Sequence, residues 1–327
     1  MLRYIGRRLG LMVITLLAIS IISFAVIQLP PGDFLTAYME RLEQSGYTRD
    51  QATIDALKKR YGLDKPVYLQ YVTWMWNMFH GDFGQSFYFN RPVGELIWER
   101  LGLTIAVTLA ATIFTWVVAL PIGIYSAVRQ YSIGDYIFTF LGFIGIGIPS
   151  FMLAIILMWF AFSTFGANVG GLFSAKYNDA PWNMAKVVDL LKHIWLPMIV
   201  LGVGGTAGLI RVMRAQLLDE IRKPYVVTGR AKGMKERQLI IKYPVRVALN
   251  PFISTIGWML PSLVSGEVIV SMVLGLPTTG PVLFRALMMQ DMYLAGTFIM
   301  MLSVLTVIGT LISDLLLAWV DPRIRLG

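Results

Sequence analysis

Cysteine is absent from the 327 residues, and histidine occurs only twice. The absence of cysteine excludes disulfide bonds and thiolate metal sites, and it leaves the redox compartment open. Charged residues make up 14% of the chain, whereas a soluble domain carries about a quarter. The hydrophobic share is 56% and the mean hydropathy is +0.65. This composition predicts an integral membrane protein.

The sequence also lacks the short motifs of several common catalytic sites. There is no GxxxxGK[ST] phosphate loop, so the chain is not expected to bind ATP by that route. HExxH and GxSxG are absent as well, which leaves a membrane hydrolase without recognisable catalytic residues. We therefore predict no catalytic residue, metal or cofactor on this chain.

Six stretches are predicted to cross the membrane, since a spanning helix needs about 20 mostly apolar residues. They are 9–29, the uncharged stretch between Arg100 and Arg129, 136–163, 193–210, 248–273 and 293–319. The predicted fold class is an all-α membrane protein with three parts. Residues 1–29 form the N-terminus and first span, 30–100 form a small extracytoplasmic helical cap, and 101–327 form the core.

The distribution of Lys and Arg predicts the orientation, because bases near span ends favour the cytoplasmic side. Arg3, Arg7 and Arg8 precede the first span, and Arg323 and Arg325 follow the last. Both termini are therefore placed in the cytoplasm. With six spans the 211–246 loop also lies inside, and segment 30–100 lies outside.

Two helices are predicted in the cap segment. Thr48 and Gln51 have the spacing of a capping box, which opens a helix that ends at Gly62. Residues 67–79 are amphipathic and rich in aromatic residues, which is typical of a helix lying in the membrane interface. The Trp pair of that helix favours anchoring at headgroup level over contact with a ligand.

Most of the net charge lies in the basic loop, residues 211–246. It has ten Lys or Arg against Asp219, Glu220 and Glu236, a local charge of +7 within a total of +9. Such loops usually face anionic lipid. The excess of Lys and Arg that membrane proteins carry in their cytoplasmic loops explains the basic net charge better than nucleic-acid binding does. The sequence of this loop instead predicts an ordered structure: helical spacing up to Arg222, a break at Pro224 and a turn at Gly233. We expect a rigid helix–glycine–helix elbow that contacts another protein.

The basic loop resembles the cytoplasmic coupling loop of ABC importer permeases, in the dipeptide/oligopeptide branch. That branch has a pattern close to Tyr-Val-x-Thr-Ala-Arg-Ala-Lys-Gly. The matching residues are Tyr225, Val226, Thr228, Arg230, Ala231, Lys232 and Gly233. Gly229 stands where the branch has Ala, a change expected to loosen the elbow. Further landmarks in the same order are MLRYIGRRL, LDKPVYLQY, GDFGQS and DPRIRLG.

The resemblance implies a permease subunit that forms half of a translocation path in a bacterial or archaeal inner membrane. It implies four kinds of partner: the membrane, a second permease subunit, two ATPase subunits that hold ATP and Mg²⁺, and an extracytoplasmic solute-binding protein. The residues that would couple this chain to an ATPase are Tyr225, Thr228, Gly229, Arg230, Ala231, Lys232 and Gly233. Whether the two permeases are identical is left open.

One departure from the branch bears on the solute. Ser271 occupies the position of an expected Glu, and Glu267 lies one turn earlier on the same helix face. A charge at membrane depth is costly, so Glu267 is expected either to line an aqueous path or to bond to a neighbouring helix. For Asp314 a structural pairing is preferred. Because PTTG also replaces the usual PGLG, oligosaccharides stay an alternative to peptides.

Two other classes remain as rivals to this interpretation, an ion-coupled secondary transporter and a membrane scaffold. Secondary transporters more often show two similar halves. Here the first half has a long outer segment and the second has the basic inner loop. Co-purification of an ATPase in detergent would separate an importer permease from both rivals.

Overall fold

The computed structural model describes residues 2–28, 65–86, 88–166, 170–178, 180–254 and 268–320. The named elements in these ranges are helices, with a single isolated β-bridge. The α-helices are α1 (Leu2–Gln28), α2 (Val67–Phe79), α3 (Val93–Val128), α4 (Ile133–Gly147), α5 (Ser150–Phe165), α6 (Met184–His193), α7 (Trp195–Ile221), α8 (Pro224–Ala231), α9 (Glu236–Lys242), α10 (Pro244–Ala248), α11 (Val268–Val273), α12 (Thr279–Met288) and α13 (Met292–Val320).

The described residues contain three single helices long and apolar enough to cross a membrane, namely α3, α7 and α13. α1 has a shorter apolar stretch, Gly10–Ala25. These helices correspond to four of the six predicted spans. α7 also continues past residue 210 to Ile221, which confirms the predicted helical extension of the fourth span.

The predicted span at 136–163 is not one straight helix. α4 and α5 together have the required length and hydropathy, but they are bent by 102° at a short break. The cause is Pro149, which has no N–H for the helical ladder and disfavours helical backbone at the residue before it. Ile148 accordingly takes an extended conformation, with φ −91° and ψ 120°.

Several predictions fall outside the described residues. These are the capping box at Thr48, the centre of the 248–273 span with Glu267, and the DPRIRLG tail. Only the two ends of the 248–273 span are described, residues 250–254 and α11, and both are helical.

The chain divides into two compact units, and the first comprises Met1–Gly102 with Thr278–Val307. Its core joins Phe24 of α1 to Trp74 of α2, with ring centroids 5.8 Å apart. α2 has the bounds predicted for the interfacial helix, 67–79. Its Trp pair is split, because Trp74 is 3% exposed and Trp76 is 66% exposed. Only Trp76 is placed to serve as an anchor.

The GDFGQS stretch has a structural role within this first unit. Ser86 Oγ donates to Asp291 Oδ2 at 2.6 Å, and the Tyr88 N–H donates to the same oxygen at 3.1 Å. Asp291 is fully buried and also accepts from the Leu294 N–H, 3.2 Å away, in the first turn of α13. A buried carboxylate needs such donors, so Asp291 ties the turn after GDFGQS to the start of α13.

The second unit comprises Leu103–Pro277 with Ile308–Gly327, and α7 is its central helix. α7 packs against α4, α5, α6, α10 and α11. One apolar cluster lies around Leu196 and Val200 near the start of α7, and another around Met213 and Leu217 near its end. The second cluster fixes the part of the basic loop that lies in α7, and the rest of that loop follows directly after α7.

Candidate functional site

The elbow consists of α8, α9 and the turn between them, residues 224–242. α8 begins at Pro224 in its first turn, where a missing N–H costs nothing. The short helix, turn and second helix expected from the sequence are all present, with α9 starting at Glu236. Val226 and Leu239 are both fully buried, so the two helices share a small apolar contact.

Gly233 ends α8 in a Schellman motif. Its φ is +76°, in the left-handed region that side chains with a Cβ avoid. The Gly233 N–H donates to the Arg230 carbonyl at 2.9 Å, and the Met234 N–H donates to the Gly229 carbonyl at 3.2 Å. This is the pair of bonds that satisfies the last carbonyls of a helix when a glycine follows it. The turn predicted at Gly233-Met234 is confirmed.

Gly229 lies inside the elbow and not on its surface. It is buried in α8, and a Cβ at this position would lie 2.4 Å from Leu239 Cδ1. Glycine at 229 therefore lets Leu239 lie directly against the α8 backbone. The loosening expected from the exchange of Ala for Gly stays a prediction.

We predict that Gly229→Val destabilises the purified permease by about 1–3 kcal/mol, because the added side chain overpacks the site. Leu239→Ala alone should cost about 2–5 kcal/mol through the cavity it leaves. In the double variant the valine should fill that cavity, so the losses should not add. Thermal unfolding in detergent measures all three, with Gly229→Ala as the smaller-volume control. Additive losses would contradict this packing.

A buried carboxylate fixes the elbow to the end of α7. Glu220 is 6% exposed, accepts a 2.6 Å hydrogen bond from the Tyr225 hydroxyl and pairs with Lys223. Burial, followed by the hydrogen bond to Glu220 and its charge, raises the pKa of Tyr225. The hydroxyl therefore stays protonated and remains a donor. Tyr225, predicted as a coupling residue, thus holds α8 against α7.

We predict that Tyr225→Phe costs about 1–3 kcal/mol, because it removes one donor from a buried carboxylate. Glu220→Gln is the matched control, since its amide oxygen can still accept from Tyr225. Thermal unfolding and solute-stimulated ATP hydrolysis of the assembled transporter check the effect. A Tyr225→Phe variant that equals wild type in both measurements would contradict the role assigned to the hydroxyl.

The remaining predicted coupling residues lie on the outer surface of the elbow. The exposed members of the set are Thr228, Arg230, Ala231, Lys232 and Gly233. Val227 is 55% exposed beside them and does not belong to the predicted set. The elbow therefore presents a mixed apolar and basic surface. Such a surface suits a folded partner better than lipid headgroups alone.

The Arg230 side chain forms an ion pair with Glu236 of the same chain. Its Nε donates to Glu236 Oε2 at 2.9 Å, across the turn from α8 to α9. The hydrogen bond from Arg230 lowers the pKa of Glu236, so both groups are charged at neutral pH. Both side chains are about half exposed, and exposed pairs contribute little to stability. The pair orients Arg230 more than it strengthens the elbow.

An ion pair that the sequence did not reveal ties α7 to α4. Arg214 donates to both oxygens of Asp135, from Nε at 3.0 Å and from Nη2 at 2.9 Å. The Asp135 side chain is 3% exposed and also accepts from the Tyr131 N–H at 2.9 Å. The partners lie 79 positions apart, so no local pattern could have indicated them. The end of α7 that carries the elbow is therefore also joined to α4.

The predicted path residues are only partly described. Ser271 is buried at 6% exposure in α11, which packs against α5 and α7. Glu267 lies outside the described residues. Asp314 lies in α13.

Helices long and apolar enough to cross a membrane, with the elbow following one of them along the chain, define a helical membrane protein. The chain belongs to the family described as the binding-protein-dependent transport system inner membrane component, whose model matches residues 119–326. The model of the N-terminal part of such components matches residues 1–108. The protein is thus a multi-pass permease subunit of an ABC importer and not itself an enzyme. The resemblance to permeases of the dipeptide/oligopeptide branch is confirmed, and the coupling role of the basic loop stays a prediction.

Curated relatives match the chain over nearly its whole length. It is 36% identical to the oligopeptide transport system permease protein AppB of Bacillus subtilis, covering 98% of this chain and 99% of that protein. It is 30% identical to the dipeptide transport system permease protein DppB of Alkalihalophilus pseudofirmus, covering 99% and 100%. It is also 30% identical to the peptidoglycan transport system permease protein YejB of Agrobacterium fabrum, covering 98% and 97%.

Among solved structures, the chain is similar to one from the inward-facing MetNI methionine ABC transporter. The TM-score is 0.50 at 18% identity, covering 69% of this chain and 96% of that one. At this identity the likeness concerns the fold alone.

Proposed function

We propose that this permease transports peptides. The observation that carries the proposal is the full-length similarity to permeases named for oligopeptides and dipeptides, at 36% and 30% identity. The departure at Ser271 and PTTG is the reason to test oligosaccharides beside peptides. A relative named for peptidoglycan transport also matches, and peptidoglycan contains both sugars and peptides.

The energy is proposed to come from partner subunits, since the sequence has no phosphate loop. The assembly would contain a second, related permease, two ATPase subunits that hold ATP and Mg²⁺, and a solute-binding protein. The exposed side of the elbow, from Val227 to Gly233, supports this proposal. It is a rigid surface on which an ATPase can bind, and Tyr225 holds it to α7.

The proposed topology has six spans, with both termini in the cytoplasm. It adds α1, the α4–α5 pair and the predicted span 248–273 to the candidate spans α3, α7 and α13. The basic loop then lies inside, while segment 30–100 forms the outer cap. A cysteine at Lys235 should react with an impermeant thiol reagent only after the membrane is opened, and a cysteine at Ser45 should react in intact cells.

Glu267 and Ser271 are proposed to line the translocation path. The support is chemical, because an acid deep in a predicted span needs water or a polar neighbour. Glu267→Gln should then change the solute range or transport rate and leave assembly and basal ATP hydrolysis intact. Weakened association of the two permeases would instead indicate a structural pair. Unchanged transport and assembly would contradict both alternatives.

Reconstitution into liposomes tests the function. The permease, co-purified with its ATPase and second permease, should take up a labelled peptide when ATP and the solute-binding protein are supplied. A complex without this chain is the control. The proposal is contradicted if no ATPase co-purifies, if uptake proceeds without ATP, or if only an oligosaccharide is taken up.

A further inference from the structure

α6 has an inverted distribution of polar and apolar side chains. Met184, Val187, Val188 and Leu191 recur at the spacing of one helix face. All four are exposed, by 77%, 37%, 44% and 64% respectively. We define these four residues as the apolar face of α6. In water, an amphipathic helix would bury such a face.

The opposite face of α6 buries charged residues. Lys186 is 6% exposed and Asp189 is 8% exposed, although such residues are rarely buried without partners. Both have partners. Lys186 Nζ donates to the Ala180 carbonyl at 2.6 Å, and Asp189 accepts from the Ser174 N–H and hydroxyl, both at 2.7 Å. The orientation of α6 is therefore fixed by specific bonds, and it directs the apolar face outward.

The position of α6 along the chain indicates what covers this face. Only Ile194 separates the end of α6 from Trp195, the first residue of the candidate span α7. α6 therefore lies at the boundary where the chain enters the membrane. Exposed tryptophans flank it, with Trp182 at 61% and Trp195 at 36%. Tryptophan is enriched at this depth, where its ring meets apolar chains and its N–H meets water.

The geometry points to a lipid-binding role for α6: we infer that its apolar face lies in the membrane interface, among the headgroups and first acyl carbons of one leaflet. A helix with one apolar and one polar face takes this position in bilayers. Lys192 at the flank of the face can extend its ammonium group to the headgroups. The inference depends on α7 being a span and not on the identity of the solute.

Spin labelling tests this inference, because the chain has no cysteine of its own. Nitroxides are attached at Met184→Cys and Leu191→Cys in the assembled transporter, with other subunits that carry no reactive cysteine. The complex is placed in nanodiscs of phosphatidylethanolamine and phosphatidylglycerol. Collision with dissolved oxygen is compared with collision with a water-soluble nickel chelate. Arg129→Cys, exposed between α3 and α4 and outside the elbow, is the aqueous reference.

Both labels on α6 should collide more with oxygen than with nickel, and the label at Arg129 should show the reverse. The inference is overturned if nickel reaches Met184 and Leu191 as readily as it reaches Arg129, since the face would then lie in water. It is also overturned if neither reagent reaches them, since another protein would then cover the face. ATP hydrolysis by each labelled complex shows that it has assembled.

Discussion

Gly233→Val is expected to reduce solute-stimulated ATP hydrolysis by the assembled importer to its unstimulated rate, while the chain still inserts into the membrane. Gly233 has a φ of +76°, and nothing lies within 4 Å of an added Cβ. The effect should therefore come from the backbone alone. Holding a residue other than glycine there costs about 1–3 kcal/mol. A penalty of about this size changes an equilibrium by roughly 5- to 150-fold.

Gly233→Asn is the matched control for this prediction. Asparagine adds a side chain but tolerates the left-handed region better than other residues do. It should therefore keep most of the stimulated hydrolysis, whereas valine should not. Equal, normal stimulation in both variants would contradict the requirement for a positive φ at the elbow. Equal loss in both would show that the side chain blocks the ATPase directly.

Arg214→Met is expected to cause the largest loss of stability. Breaking a buried ion pair by removing one partner costs about 3–5 kcal/mol, because the other charge is left without compensation. Here Asp135 would keep the Tyr131 N–H but lose two donors from Arg214. Asp135→Asn should cost less, because Arg214 is 28% exposed and can turn toward water.

The double variant Asp135→Leu/Arg214→Met provides the control. Replacing both members of a buried pair with apolar residues is often neutral for stability. The double variant should therefore unfold at a higher temperature than Arg214→Met alone. Coupled transport should nevertheless fall if the bond between α7 and α4 matters for function. A double variant as unstable as Arg214→Met would contradict the uncompensated Asp135 charge as the cause of the loss.

Local patterns predicted the elbow well. The position of Pro224, the glycine at 233 and the apolar spacing of 239–241 are all local signals, and each acts within a few residues. The bounds of α2 were likewise readable from its apolar and aromatic run. The family resemblance identified the same loop independently.

Features that depend on distant neighbours could not be read in this way. Gly229 matters because of Leu239, and Asp135 because of Arg214. α6 was not predicted as a helix, although its apolar residues recur at helical spacing. The sequence could not show that its charged face, with Lys186 and Asp189, is the buried one. The break at Pro149 had a local signal, but the uninterrupted run of uncharged residues outweighed it in the prediction of one span.

The central claim is that an ATPase binds the outer surface of the elbow. The most direct measurement is photo-crosslinking from a reactive amino acid placed at Lys232 in the assembled transporter. Lys192, in the last turn of α6, is the control position, because the proposed topology places it on the other side of the membrane. If the ATPase binds the elbow, we expect a crosslink to it from position Lys232 and none from position Lys192. A crosslink to the ATPase from 192, or none from 232 in an active complex, would contradict it.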